Sequence, residues 1–322
     1  MKLITLLCLS IVLLSAQKIK LGTVAPKGSA WYKVMKEFAN EVKKSTGGKV
    51  KFKIYAGGIQ GDETQMIKRM RVGQLHAGGF IGPGLGQILP EVRIMDLPFL
   101  FQNHEEVNHV QASLLNHFRT KFGEKGFYFL AWANAGFVNV FSTEKITSYD
   151  DLAKTKMWAM ADDPIADITF KALKLNPFSV PLTDVLTSLE TGLINTTYTP
   201  PLGAVTLQWF KKQKYFIDVN LAYSSGAVII STKQWNKVSD ENKKIINDLA
   251  VTHFANFNAV SRKGNEESRI VIVEEGLEKV TISDLTPFKK AGEDAKKEAL
   301  GKLFDADLLK KVETLISEKR SK

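Results

Sequence analysis

Ala135-Gly136-Phe137-Val138, Ser148-Tyr149-Asp150-Asp151-Leu152, Lys156-Met157-Trp158-Ala159-Met160, Pro181-Leu182-Thr183-Asp184-Val185, Leu189-Glu190-Thr191-Gly192 and Thr199-Pro200-Pro201 follow one another between Asn134 and Pro201. Ser148 with Asp151 has the form of a capping box, in which each side chain serves the other residue's backbone N–H. Pro164 suits a helix start, where its missing N–H costs no hydrogen bond. Thr183 is placed to cap a helix carrying Val185, Leu186 and Leu189, closed by Gly192. The stretch therefore reads as an α/β unit of its own, entered by a chain crossing near Gly136.

Upstream, Ile19, Leu21 and Thr23 alternate as on a strand. Ser29 or Gly28 caps a helix with Trp31, Val34, Phe38 and Val42 at helical spacing, which stops at Gly47-Gly48. Val50, Phe52 and Ile54 form a second strand. Asp62 opens a helix through Met66 and Met70, and Gly78 to Ile81 is a third strand. This β-α-β-α-β order begins an open, mostly parallel sheet. Gly82-Pro83-Gly84-Leu85-Gly86 is not a dinucleotide loop, because no helix with the required glycine spacing is expected after it. Val107, Val110, Leu114, Phe118 and Phe122 mark a further helix. Phe127 to Trp132 is apolar on both faces and reads as a central strand.

Downstream, the chain returns to the first unit near Ser224. Ser239 then caps a very long helix whose stripe is Ile245, Ile246, Leu249, His253, Phe254, Phe257 and Val260. It continues past Gly264. From about Asp240 to Glu275 it would cover roughly 50 Å at the helical rise, enough to lie across two lobes. The expected organisation is a signal peptide at 1–16, a first lobe of 17–136 plus 224–264, and a second of 137–223 plus 265–322.

The chain has 322 residues, 44% hydrophobic and 24% charged, which supports a sizeable core divided between two lobes. Met1-Lys2, the apolar run Leu3 to Leu14 and Ser15-Ala16 read as a signal peptide cut after Ala16, so a periplasmic location is expected. The one cysteine, Cys8, lies within it, which leaves the mature chain without disulfides or thiolate sites. A net charge of +10 raises the question of nucleic acid. The lysines are dispersed, as in Lys49-Val50-Lys51-Phe52-Lys53, and read as a solvated surface.

The ordered segments quoted above, with Met95-Asp96-Leu97-Pro98-Phe99-Leu100-Phe101, resemble the periplasmic solute-binding proteins of TRAP (tripartite ATP-independent periplasmic) transporters, the DctP-like family. The resemblance covers nearly all of the mature sequence. It implies an α/β, two-lobed periplasmic binding protein fold with open mixed sheets, a long helix spanning both lobes and a ligand cleft between them. It also implies TRAP membrane subunits as partners. In that family an arginine usually stands where this chain has Trp158, and a second where it has Val138. Both usually hold a substrate carboxylate. A subgroup that works with a periplasmic tetratricopeptide-repeat lipoprotein has apolar clefts, and this chain looks like that subgroup.

Val24, Ile81, Val138, Trp158, Ala161, Leu182 and Thr199 align with positions that often line the family's cleft. A buried carboxylate needs a strong donor, and arginine is the usual one. With both arginines absent, the expected ligand is small and hydrophobic or weakly polar. Trp158 offers a stacking face and one N–H, or it fills the space as core. Met160 shares its strand face. Phe137, Met160 and Tyr198 are weaker candidates, while Asn139 and Thr199 are the expected polar contacts. Arg69, Arg71, Arg93 and Arg119 fall on expected surfaces and read as solvated. Arg93 lies nearest the cleft segment and is the one substitute for the missing clamp.

An enzyme would need a nucleophile with a base, a carboxylate pair or metal ligands. The five histidines form no ligand pair. Asp162-Asp163 before Pro164 reads as helix-start charge and cap. No catalytic residue, cofactor, metal or nucleic-acid partner is expected. Two alternatives stand beside the apolar binder: the same fold holding an organic acid through Arg93, and a periplasmic lipid carrier or chaperone without a transporter.

Overall fold

Buried Ile19 and Leu21 alternate with more exposed Lys18 and Lys20, and this pattern makes β1 (Gln17–Thr23) a strand with one face in a core. The computed structural model describes residues 16–321. The expected signal peptide lies almost wholly outside the described residues, as does Cys8. β1 pairs in parallel with β2 (Val50–Tyr55) and β3 (Ala77–Ile81). The strand Phe127–Trp132, β4, completes the first sheet only through a later strand.

The second sheet contains β5 (Gly136–Ser142), β8 (Thr196–Thr199), β9 (Tyr215–Ser224) and β11 (Glu278–Val280), in the order β11-β9-β5-β8. A two-stranded sheet of β6 (Trp158–Met160) and β7 (Phe178–Val180) lies beside it. A bridge from Met157 to Thr196 joins the two. β10 (Gly226–Ser231) returns to the first sheet and runs antiparallel between β3 and β4, giving the order β2-β1-β3-β10-β4.

That order corrects the expectation for Phe127–Trp132, which is an edge strand. Its two apolar faces have another cause. Helix His104–Glu124 covers one face, and Asp240–Glu274 covers the other. The second sheet is likewise covered on both faces. Val140 and Ile217 meet Ala166, Phe170 and Phe288 on one side, while Phe141 and Phe216 meet Phe210 and Ile272 on the other.

The long helix has 35 residues, Asp240–Glu274, and Ser239 caps it by accepting from Asn242 N. Its Phe254 and Phe257 pack in the first lobe and its Ile272 in the second. Two asparagines tie it to the first crossing. Asn258 Oδ1 accepts from Asn134 N at 2.8 Å, and Asn265 Nδ2 donates to Ala135 O at 2.8 Å. Gly136 sits there at φ 124°, and a Cβ would crowd Asn265 Nδ2. The second crossing passes through Ser225, whose N–H donates to Asp96 Oδ1 at 2.9 Å.

Two local expectations are also corrected. The last helix, Ala306–Arg320, packs Leu308, Val312 and Ile316 against Val107, Val110 and Leu114 of the first lobe's helix, so 306–320 belongs with that lobe. Thr183 caps nothing. Leu182–Asp184 is a 3-10 turn leading into helix Val185–Glu190, and Thr183 Oγ1 donates to Asp184 Oδ1 instead. Among the described residues no helix is long and apolar enough to cross a membrane.

Candidate functional site

The ends of β1 and β3 from the first lobe face β5, β6 and β8 of the second across a cavity of about 270 Å³. Val24, Ile81, Val138, Trp158, Met160, Leu182 and Thr199 all line it. Two residues expected there do not. Asn139 follows Val138 on β5, so strand alternation turns it to the opposite face. It is fully buried, donates to Val219 O at 2.9 Å and accepts from Arg269 Nη2 at 3.1 Å. Ala161 lies just past β6, where the chain turns through Asp162 at φ 59°, and it is not part of the lining.

Trp158 is 2% exposed, and its neighbours account for most of its surface. Its Nε1 donates to Val180 O at 2.9 Å, the carbonyl of the residue paired beside Met160 in β7. Its ring stacks on Tyr198 at 4.9 Å and meets Trp209 edge-on at 5.3 Å. The indole N–H expected for a ligand is therefore already used. What Trp158 gives the cavity is an aromatic wall held rigid by its partners.

Arg93 overturns its expected place on a solvated surface. It is 3% exposed and lines the cavity. Its Nη2 donates to Asp163 Oδ1 at 2.7 Å, and its Nη1 lies 3.3 Å from Asp96 Oδ2. Asp163 also caps helix Pro164–Ala172, accepting from Ile165 N and Ala166 N. The helix-cap role read from sequence is present, and a second partner from the other lobe is added to it. Burial tends to lower the arginine's pKa, but the two carboxylates outweigh it and hold Arg93 charged.

The glycine run explains how so large a side chain is accommodated. Gly82–Ile88 is a short helix that contains the glycine run itself. A Cβ on Gly82 would collide with Asp96 Oδ2, and one on Gly86 would press at 2.7 Å on the Arg93 stem. A Cβ on Gly84 would collide with the Glu63 carboxyl. Glu63 lines the cavity and accepts from Ile81 N at 2.8 Å and Gly84 N at 3.0 Å. Burial pushes its carboxyl up to about 8 despite those two N–H donors, and pushes Asp96 up to about 6.

Among the described residues Arg93 is the one basic side chain on the lining, against Glu63, Asp96 and Asp163. Its pairing with the Asp before Pro164 was legible only as two separate facts in the sequence, an arginine near the cleft segment and a cap in the other lobe. Among the described residues no three His, Cys, Asp or Glu side chains group to hold a metal ion.

A family model for bacterial extracellular solute-binding protein, family 7 (DctP), matches residues 21–302. An uncharacterized protein of Haemophilus influenzae is 28% identical over 214 residues, which are 66% of this chain and 65% of that protein. A solved TRAP periplasmic solute-binding protein from Desulfovibrio salexigens, with bound orotic acid, superposes with a TM-score of 0.88 at 20% identity. That match covers 94% of this chain and 99% of the other. A TRAP periplasmic solute-binding protein from Haemophilus influenzae, with bound L-gulonate, gives a TM-score of 0.84 at 26% identity over 94% and 99% of the two chains. With two lobes, a cavity between them and a family match along most of its length, the chain belongs to the DctP family of bacterial extracellular solute-binding proteins.

Proposed function

We propose that this protein is the solute-binding subunit of a TRAP transporter that encloses a small hydrophobic or weakly polar molecule and hands it to the membrane subunits. The observation that carries this reading is the lining. Val24, Ile81, Val138, Leu182, Met160 and the Trp158 wall supply the area, and the one basic side chain is engaged by two carboxylates. Apolar burial contributes roughly 25 cal/mol per Å² before ordering costs. A carboxylate entering this cavity would meet an arginine already charge-paired with Asp163 and Asp96, and would add a further negative charge beside them. Export through a cleaved N-terminal segment and association with a tetratricopeptide-repeat lipoprotein belong to the same proposal.

The organic-acid reading has its own support. Relatives in solved structures hold orotic acid and L-gulonate, and Arg93 Nε and Nη1 have no hydrogen-bond partner among the described residues. The two readings separate in one experiment. The protein is purified gently from its host and examined by native mass spectrometry, and the released species is identified. An apolar species without a carboxylate supports the first reading, and an organic acid supports the second.

A further inference from the structure

The polar end of the cavity is built from opposite charges in unequal number. Arg93 stands between Asp96 and Asp163, and Glu63 lies on the same lining. The side chain of Asp96 is 9% exposed, and its Oδ2 has no hydrogen-bond partner among the described residues. It is near Arg93 Nη1 in charge but outside hydrogen-bonding geometry. Asp96 Oδ1 is committed to Ser225 N, Asp163 Oδ1 to two backbone N–H groups and Arg93, and both Glu63 oxygens to backbone N–H groups. The groups left over among the described residues are thus one acceptor, Asp96 Oδ2, and the donors Nε and Nη1 of Arg93, all buried and costly to leave unmet.

We propose that this end of the cavity selects ligands whose head group donates a hydrogen bond, an amine or a hydroxyl on an apolar body, and discriminates against acids. The inference rests on the apolar reading of the cavity and names the chemistry of the ligand's polar end. A hydroxyl or ammonium would meet Asp96 Oδ2. A hydroxyl could in addition accept from the free N–H groups of Arg93. A carboxylate could accept from the same N–H groups, but it would bring a further negative charge beside Asp96 and Asp163, which already outnumber the one guanidinium, and like charges at such range cost several-fold in affinity or more.

The test uses probes with one body and different heads: 4-phenylbutylamine, 4-phenylbutanol and 4-phenylbutyrate, with butylbenzene as the headless control and L-gulonate as the polar acid. Binding to the mature protein is followed by calorimetry and by thermal shift. The expected result is an amine or alcohol bound at least about tenfold tighter than the acid, which corresponds to about 1.4 kcal/mol. In Asp96→Asn, whose carbonyl can still accept from Ser225 N, that preference should shrink or invert. Equal or tighter binding of the acid by the wild-type protein overturns the proposal. If neither amine nor alcohol binds but butylbenzene does, the proposal falls and the apolar reading stands. If none of the phenylbutyl probes nor butylbenzene binds and L-gulonate does, the apolar reading falls with it.

Discussion

Arg93 Nη2 and Asp163 Oδ1 meet at 2.7 Å across the cleft, one from the 3-10 turn Pro90–Asp96 and the other from the cap of helix Pro164–Ala172. Both side chains are buried. The bond joins the two lobes directly, and the same arginine faces Asp96, which holds Ser225 at the second crossing. The basic side chain on the cavity lining is here a link between lobes. Two-lobed binders close by hinge motion, so such a link favours the closed form.

Asp163→Asn separates the two duties of this residue. Asparagine caps helices about as well as aspartate, so the cap survives while the ion pair is lost. Removing one partner of a buried pair costs about 3–5 kcal/mol, and less where a second carboxylate remains beside the arginine. A loss of about 2–3 kcal/mol is expected for Asp163→Asn, with about 1 kcal/mol more for Asp163→Ala. Urea unfolding of both variants checks the order.

Gly82→Ala should disturb the same cluster from the other side. Its Cβ would collide with Asp96 Oδ2 and approach Arg93 Nη1 to 2.7 Å. Overpacking of this kind costs about 1–3 kcal/mol, and the upper end is expected because charged groups must move. Gly123→Ala is the control, since none of the described residues outside its own helix turn lies within 4 Å of where its Cβ would stand in helix His104–Glu124. It should gain about 0.5–1 kcal/mol. Melting temperatures that fall alike in both variants would contradict the packing account.

Much of this was legible in the sequence. Alternation and capping gave the β-α-β-α-β start, the crossings near Gly136 and Ser224, and a long helix whose observed ends are Asp240 and Glu274. Seven of the nine expected site residues line the cavity, most of them at or beside strand ends. Asn139 and Ala161 failed for local reasons, strand alternation in one and a turn in the other. Arg93 failed for a long-range reason. Its burial depends on Asp163, seventy positions away, and on glycines that clear its path. The edge position of Phe127–Trp132 was hidden too, because two covering helices make an edge strand as apolar as a central one.

The raised carboxyl of Glu63 predicts a pH effect with a definite sign. Burial raises its folded pKa from 4.5 to about 8. Between those values the folded state keeps a proton that the unfolded state has released. Its contribution to stability is therefore complete below about pH 4.5 and is lost as the pH rises through 8. Glu63→Gln removes this titration. The stability difference, wild type minus variant, should fall as pH goes from 5 to 8, measured by urea unfolding at each pH. Parallel profiles would contradict it.

Trp158→Phe keeps an aromatic wall and removes the N–H. Val180 O then loses its donor in a buried place, at a cost of about 1–3 kcal/mol. Binding of an apolar probe should change little, because the N–H points to Val180 O. A large loss of affinity with normal stability would mean that the indole N–H serves the ligand.

The most direct test of an apolar binding role is the identity of what the protein carries. The mature chain, purified gently from its host, is examined by native mass spectrometry, and the released molecule is identified. An apolar or weakly polar species without a carboxylate is the predicted result. An organic acid bound one to one, released together with loss of the Arg93–Asp163 pair, would contradict it.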